Sequence, residues 1–335
     1  MRAVRIEKTN APWKVVEAPV PEPGPGEALV RVRASGICGA DLEITRGEYP
    51  LARAPLTPGH EVAGIVEQTG ADVAAFRAGD RVGLGWLQGI CGKCEACFAG
   101  KENLCAEQRA TGVNVDGGHA EYVVAPVAYL HHLPEQLSFE HAAALMCPGM
   151  TAYSAIKISG VRPGARIAVL GLGGVGHLAV LLARAVGAQV AVVTRGGEEK
   201  MEWARKLGAD YVLDSRGESA GRLLQSVGGA DLILSVTISE TEAGDAIDGL
   251  RPDGTMVLIG VPTRPIPVPA DPMCAGRRRI LGLPSGSRTE VRETLEFAAR
   301  RRIAPLIETF PLADARRAIE RMGKGLVRFR AILVP

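Results

Sequence analysis

The run Gly171-Leu-Gly-Gly-Val-Gly176 follows an uninterrupted apolar stretch, Arg166–Leu170, and opens onto a helical pattern at 175–186. In that strand–turn–helix setting each glycine has a task. The first makes a tight turn, the second lets the backbone approach a pyrophosphate, and the third allows the helix to pack closely on the strand. The helix N-terminus then offers its unpaired N–H groups to the anion. Such a turn needs a parallel sheet behind it. Strand-like runs recur at Arg166–Leu170, 189–193, 211–213, 231–236, 255–260 and 278–281, with helical patterns at 175–186, 198–207, 219–227 and 241–250. Ile167-Ala-Val-Leu is apolar throughout, as in strands covered on both faces. The pattern predicts a doubly wound parallel sheet that binds a dinucleotide at Gly171, Gly173, Gly174, Val175 and Gly176.

The second strand runs out into Thr194-Arg195-Gly196-Gly197. A carboxylate about 20 residues past the motif holds the ribose hydroxyls of NAD; here none occurs before Glu198. Arg195 suits a 2′-phosphate, with Thr194 and Gly196 as further donors. A missing carboxylate removes both an attraction for NAD and a repulsion of that phosphate, so NADP is favoured over NAD. The competing reading is a surface arginine with relaxed cofactor choice.

The first 150 residues have another rhythm, with short strand-like runs at 28–32, 61–67, Arg81–Leu84 and 120–124 punctuated by Gly and Pro. They predict an irregular, partly open barrel. With 335 residues, 47% of them hydrophobic, the chain has ample core for two domains and is not disordered. Its net charge of +2, without a block of like charge, argues against nucleic acid or an anionic membrane as partner; Arg277, Arg278 and Arg279 read as a solvated turn. No run reaches the ~18 apolar residues of a membrane span. The first residues alternate like a strand and lack the apolar segment of a signal peptide. The expectation is a cytoplasmic protein, where disulfides are disfavoured, so the seven cysteines need other roles.

Four of them, Cys91, Cys94, Cys97 and Cys105, are spaced C-x2-C-x2-C-x7-C. A closed tetrahedral zinc site fits, and with no open coordination position such a metal is structural. An iron–sulfur cluster uses similar ligands, but the short gap and C-P that complete the ferredoxin pattern are missing. Cys38, His60 and Cys147 are a looser set. Their gaps are long, and each by itself is more often a buried thiol or a core histidine than a ligand. For Cys274 burial is the default.

Taken together, G-I-C-G-A-D at 36–41, G-H-E at 59–61, the four-cysteine loop, D-G-G-H-A-E-Y at 116–122, C-P-G-M-T at 147–151, the glycine turn and R-A-I-L at 330–333 resemble the zinc-dependent alcohol dehydrogenases of the medium-chain dehydrogenase/reductase family along the whole chain. The resemblance implies a GroES-like partly open β-barrel catalytic domain at 1–148 and 284–335, and a Rossmann domain at 149–283, with the substrate cleft between them. It implies two zinc ions per chain. Cys38, His60 and Cys147 would bind the catalytic one, with Glu61 either behind those ligands or an alternate ligand itself, and Asp41 hydrogen-bonded to the other nitrogen of His60. Thr151 would stand beside the nicotinamide, the backbone at Ile259 and Val261 would hold its carboxamide, and Arg330 would reach the pyrophosphate. Tyr49 and Trp86 match substrate-pocket positions, or else pack in the core. His177 resembles the cinnamyl-alcohol branch, or is a polar residue at a helix start.

The implied reaction is reversible hydride transfer between a primary or secondary alcohol and NADP (or NAD), in a homodimer or homotetramer. One departure matters. The family's proton-relay hydroxyl is replaced by Ala40, and a common relay histidine by Glu43, which leaves a water chain, or Thr45 or Tyr49, to carry the proton. Rival readings are a polyol or sugar dehydrogenase, a zinc-free quinone reductase, and a non-catalytic nucleotide-binding protein.

Overall fold

The computed structural model describes residues 1–335. Two compact units emerge, Met1–Met150 with Gly286–Pro335, and Thr151–Ser285.

In the second unit six strands lie in the order Tyr211–Asp214, Gln189–Thr194, Arg166–Leu170, Ala230–Ser235, Leu250–Leu258 and Arg279–Gly282. Every pair is parallel. The order reverses beside Arg166–Leu170, and a crevice for a ligand opens at the carboxyl ends of strands at such a reversal. All five residues of Arg166–Leu170 are buried, as its apolar run requires. Ala168, Leu170, Ala191, Val193, Ile233 and Met256 form the core beneath.

Three expectations change here. The strand expected at 255–260 starts at Leu250, and the helix expected at 241–250 stops at Ala246 before a tight turn, Ile247–Gly249. Leu250 is fully buried and pairs with Ala230 across an irregularity in register, so sheet burial overrides the helical pattern. Cys274 is exposed rather than buried: it sits on the surface helix Ala270–Ala275, where Met273 is the residue that meets the core.

The first unit is built on Glu27–Ile37, a strand that changes partners along its length. Its start pairs with Tyr122–Pro126, its end with Arg330–Val334, and its other edge with Val62–Thr69. Sharing one strand among three curls the sheet into a partly open barrel, continued by Arg81–Leu84 and Leu130–His132 and closed off by Ile307–Pro311. The architecture is therefore a GroES-like barrel joined in one chain to a Rossmann-type sheet. Val30, Val32, Val66, Val82 and Val123 fill the barrel; Ile6, Trp13, Ile37, Ile44, Leu312 and Leu333 form a second cluster. The closing segment begins with helix Arg288–Arg301, capped reciprocally by Ser287 and Glu290. No helix is long and apolar enough to cross a membrane.

Candidate active site

Cys38 lies where Glu27–Ile37 turns into helix Gly39–Arg46, and it is the cap of that helix. Asp41, in the first turn, accepts the Cys38 N–H through Oδ2 at 2.7 Å. Gly36 is required next to them: a Cβ there would sit 2.0 Å from Glu61 Oε2. His60 and Glu61 lead into Val62–Thr69. Cys147 lies in a widened π-helical turn, Leu145–Gly149, that contains Pro148. Proline has no N–H for the usual helical bond, and such widened turns recur at functional sites.

The donor atoms of Cys38, His60, Glu61 and Cys147 all lie within 4.8 Å of one another. Cys38 Sγ and Cys147 Sγ are 3.9 Å apart, near the ~3.8 Å between corners of a tetrahedron with zinc–sulfur bonds of about 2.3 Å. Both ring nitrogens of His60 are buried without a hydrogen-bond partner, a state proteins avoid unless another group satisfies them. Nδ1 faces Asp41 Oδ1 at 3.7 Å, which leaves Nε2 for a metal. The four side chains thus fit the zinc that the family's chemistry calls for, with Cys38, His60 and Cys147 as ligands.

The charges suit a cation. Cys38 is held well below the usual thiol range by its contact with Cys147, while that same contact raises Cys147. Burial disfavours a charged His60, but Asp41, Cys38 and Glu61 outweigh it and raise the ring to about 9. Burial likewise acts to raise Asp41, yet His119, His60 and the Cys38 N–H hold it below the ordinary carboxylate value.

Three of the expected residues make contacts that the sequence did not show. Asp41 makes no hydrogen bond to His60; at 3.7 Å the contact is electrostatic, because Oδ2 is tied to the Cys38 N–H and the carboxylate is shared with His119. Arg330, expected at the pyrophosphate, is engaged by a carboxylate through one of its nitrogens. It is 4% exposed, and its Nη2 donates to both oxygens of Glu61, at 2.6 Å to Oε1. The cause is register: the adjoining Ala331 pairs with Ile37, which brings Arg330 to the level of the turn at Cys38, where it meets Glu61. Burial still pushes Glu61 up to about 8 against the pull of that guanidinium. Thr45 is engaged elsewhere, donating to the Asp41 carbonyl at 2.6 Å and accepting from Trp13 Nε1 at 2.9 Å.

Tyr49 and Trp86, in contrast, are brought beside the candidate metal site. Trp86 meets His60 edge-on at 5.0 Å between centroids, and Tyr49 packs on Trp86 at 5.4 Å. Burial raises the Tyr49 hydroxyl, and Glu43, Cys147 and Cys38 raise it further.

The second cluster, Cys91, Cys94, Cys97 and Cys105, also has its sulfurs within 4.8 Å of one another. Cys94 and Cys97 approach to 3.5 Å and Cys91 and Cys97 to 3.9 Å. The Lys93 N–H holds Cys91 down to about 7, while burial and the neighbouring sulfurs raise Cys97 to about 12. Glu102, on the same loop, receives the Arg288 backbone N–H at 2.9 Å and its guanidinium at 2.7 Å, so it anchors the loop to the start of helix Arg288–Arg301. The sequence reading missed Glu102, whose partner lies 186 residues away.

In the nucleotide unit, Gly171 has φ +99°, and a Cβ on Gly176 would stand 2.1 Å from the Gly171 carbonyl oxygen. Gly173 caps helix Gly174–Ala185, whose second residue is Val175, and nothing lies within 4 Å of where its Cβ would be. His177 is buried, with Nδ1 3.3 Å from the Gly173 carbonyl. Ile259 donates its N–H to Ser235, and Val261 is exposed. Thr151, at the start of this unit, is buried.

The Gly196 N–H is not free for a phosphate: it bonds Thr194 Oγ1 at 3.2 Å, and Thr194 is buried. Arg195 is exposed and in no ion pair. Two further cations surround this turn. Lys200 Cδ lies 2.1 Å from where a Gly196 Cβ would be, and Arg216 Nη1 3.5 Å from that of Gly197. Arg216 was missed because only the sheet sets the end of Tyr211–Asp214 beside that of Gln189–Thr194.

A buried thiolate–imidazole set and a dinucleotide-binding sheet in one chain define a class, the metal-dependent, nicotinamide-linked oxidoreductases. Comparisons with known proteins narrow it. Residues 24–135 match the family "Alcohol dehydrogenase GroES-like domain" and residues 174–300 match "Zinc-binding dehydrogenase". An alcohol dehydrogenase from Geobacillus stearothermophilus is 38% identical over 335 residues, 99% of each chain. A cinnamyl alcohol dehydrogenase from Sorghum bicolor superposes with a TM-score of 0.91 at 30% identity, over 99% of this chain and 97% of that one. The structure of CAD from Helicobacter pylori complexed with NADP(H) superposes at 0.89 with 26% identity, over 99% and 97%. The chain belongs to the zinc-dependent medium-chain dehydrogenase/reductase family.

Proposed function

We propose that the protein catalyses reversible, zinc-assisted hydride transfer between a primary or secondary alcohol and NADP. The observation that carries this reading is the convergence of Cys38, His60 and Cys147, with both nitrogens of a buried His60 unpartnered. When bound, zinc supplies Lewis-acid polarisation of the substrate oxygen, and the nicotinamide supplies hydride exchange. Cys38, His60 and Cys147 hold the metal, Glu61 stands by as an alternate donor, and the second cysteine cluster holds a structural ion. Thr151, Ile259 and Val261 are assigned to the nicotinamide by resemblance.

Tyr49 and Trp86 set an apolar wall beside His60, which fits an apolar alcohol or aldehyde better than a polyol. With Ala40 unable to pass a proton and Thr45 engaged, the proton is assigned a water-mediated route past Tyr49. Preference for NADP rests on Arg195 and Lys200 around the end of the second strand, with no carboxylate on that turn before Glu198; Arg216 stands near but is paired with Asp214.

The test combines elemental analysis with an NADPH and NADH screen over aldehydes. Two zinc ions per chain, with faster turnover of aromatic or aliphatic aldehydes by NADPH, are expected. One zinc per chain, and no reduction with either cofactor, defeats the reading. Arg195→Asp should reverse cofactor preference at least tenfold, since it introduces the carboxylate that attracts ribose hydroxyls and repels phosphate.

A further inference from the structure

Within D-G-G-H-A-E-Y, His119 is the residue to which neither the sequence reading nor the proposed chemistry gives a task. It is fully buried, as is Ser35. Its backbone is tied on both sides: its N–H donates to the Pro58 carbonyl at 2.9 Å, and its carbonyl accepts from Val4 at 2.8 Å. Gly59 must be glycine to admit it, since a Cβ there would lie 2.5 Å from His119 Nδ1. The ring packs against Trp13 at 5.2 Å.

The two ring nitrogens face different groups. Nδ1 is 2.8 Å from Ser35 Oγ, and Nε2 is 3.7 Å from Asp41 Oδ2. An ionised carboxylate repels a lone pair, so Asp41 selects the tautomer with the proton on Nε2. Nδ1 then accepts from the Ser35 hydroxyl. Asp41 thus stands between two imidazoles, Oδ1 toward His60 and Oδ2 toward His119. A carboxylate behind a metal-bound histidine sets that ring's orientation and donor strength, and here a second histidine shares the carboxylate.

We propose that His119 is a positioning residue for His60: through Asp41, the Ser35–His119 pair orients the ring that faces the metal and moderates the negative charge behind it. This rests on the reading that Cys38, His60 and Cys147 hold zinc. The chain does not serve as a proton wire to solvent, since Ser35, His119, Asp41 and His60 are all at 0% exposure.

The experiment uses the full-length zinc-loaded protein with His119→Phe, His119→Gln and Ser35→Ala. Zinc release is followed at rising concentrations of a coloured chelator, and the cobalt-substituted protein gives the ligand-field absorption of the site. His119→Phe is expected to give up one of two zinc ions at 10- to 100-fold lower chelator concentration, the range for loss of a group behind a ligand, with a shifted cobalt spectrum. His119→Gln, whose amide donates to Asp41, should restore most of the retention. Wild-type release and an unchanged spectrum in His119→Phe, or no recovery in His119→Gln, overturn the proposal. If His119→Phe fails to fold, Ser35→Ala decides: easier release of the same ion supports it, and unchanged release overturns it. A wild type that holds one zinc, or a Cys38→Ser variant that still holds two, overturns the underlying metal assignment instead.

Discussion

Arg330 donates to Glu61 across 269 residues of sequence, and both side chains are buried. The pair places a carboxylate and its counter-charge immediately behind two proposed metal ligands. Removing one member of a buried pair leaves the other without compensation, at about 3–5 kcal/mol. Arg330→Met should lower unfolding free energy in urea by that amount. Adding Glu61→Gln should recover more than half of it; a double variant no more stable than Arg330→Met would show that the guanidinium acts by packing alone.

Ala40 and Thr45 share helix Gly39–Arg46 and make opposite predictions. Ala40→Thr restores a hydroxyl at the relay position, so the pH profile of kcat should shift and turnover near neutrality should rise. Thr45→Val removes bonds to the Asp41 carbonyl and Trp13. It should cost about 1 kcal/mol of stability with the pH profile kept. Stopped-flow turnover from pH 6 to 10 checks both.

The four-cysteine loop depends on Glu102 as well as its sulfurs. Glu102→Ala leaves the Arg288 N–H and guanidinium without their carboxylate, a loss of about 2–3 kcal/mol. It should appear as a lower urea midpoint and faster proteolysis at 91–105, while kcat of the folded fraction stays within a few-fold. Cys97→Ser should lose one zinc per chain, read by elemental analysis.

His131 gives a pH signature. Burial, then Arg288 and Arg292, lower it from 6.5 to about 4. The unfolded chain therefore takes up a proton in the window between those values that the folded chain refuses. The stability held by neutral His131 is complete above about pH 6.5 and is lost as pH falls toward 4, by up to about 3 kcal/mol at 1.36 kcal/mol per unit. His131→Phe should flatten that part of the stability curve; an unchanged slope in denaturant melts at pH 4.5, 5.5 and 7 would refute the assignment.

How far each residue was legible in the sequence follows from the range of the forces that place it. The glycine turn, the strands from Arg166 onward and the four-cysteine loop are local. Each is defined by neighbours a few residues apart, through turn geometry, burial periodicity and ligand spacing. Tyr49 and Trp86 were visible only as aromatic candidates, and the structure sets Trp86 against His60 and Tyr49 on Trp86. Pro148 looked neutral as a letter, yet it lies in the widened turn that carries Cys147.

By itself the sequence determined two architectures and one metal cluster, the four-cysteine loop, because apolar rhythm, glycine turns and clustered sulfurs declare themselves over short distances; Cys38, His60 and Cys147 were joined only by family resemblance. Only the tertiary structure decided that Arg330 answers Glu61, that Thr45 is engaged, that Cys274 is exposed, that Arg216 stands beside Gly197, and that His119 shares Asp41 with His60. Those relationships come from strand register and loop packing between residues far apart in the chain, and buried charges and orphaned nitrogens take their meaning from what the fold sets next to them.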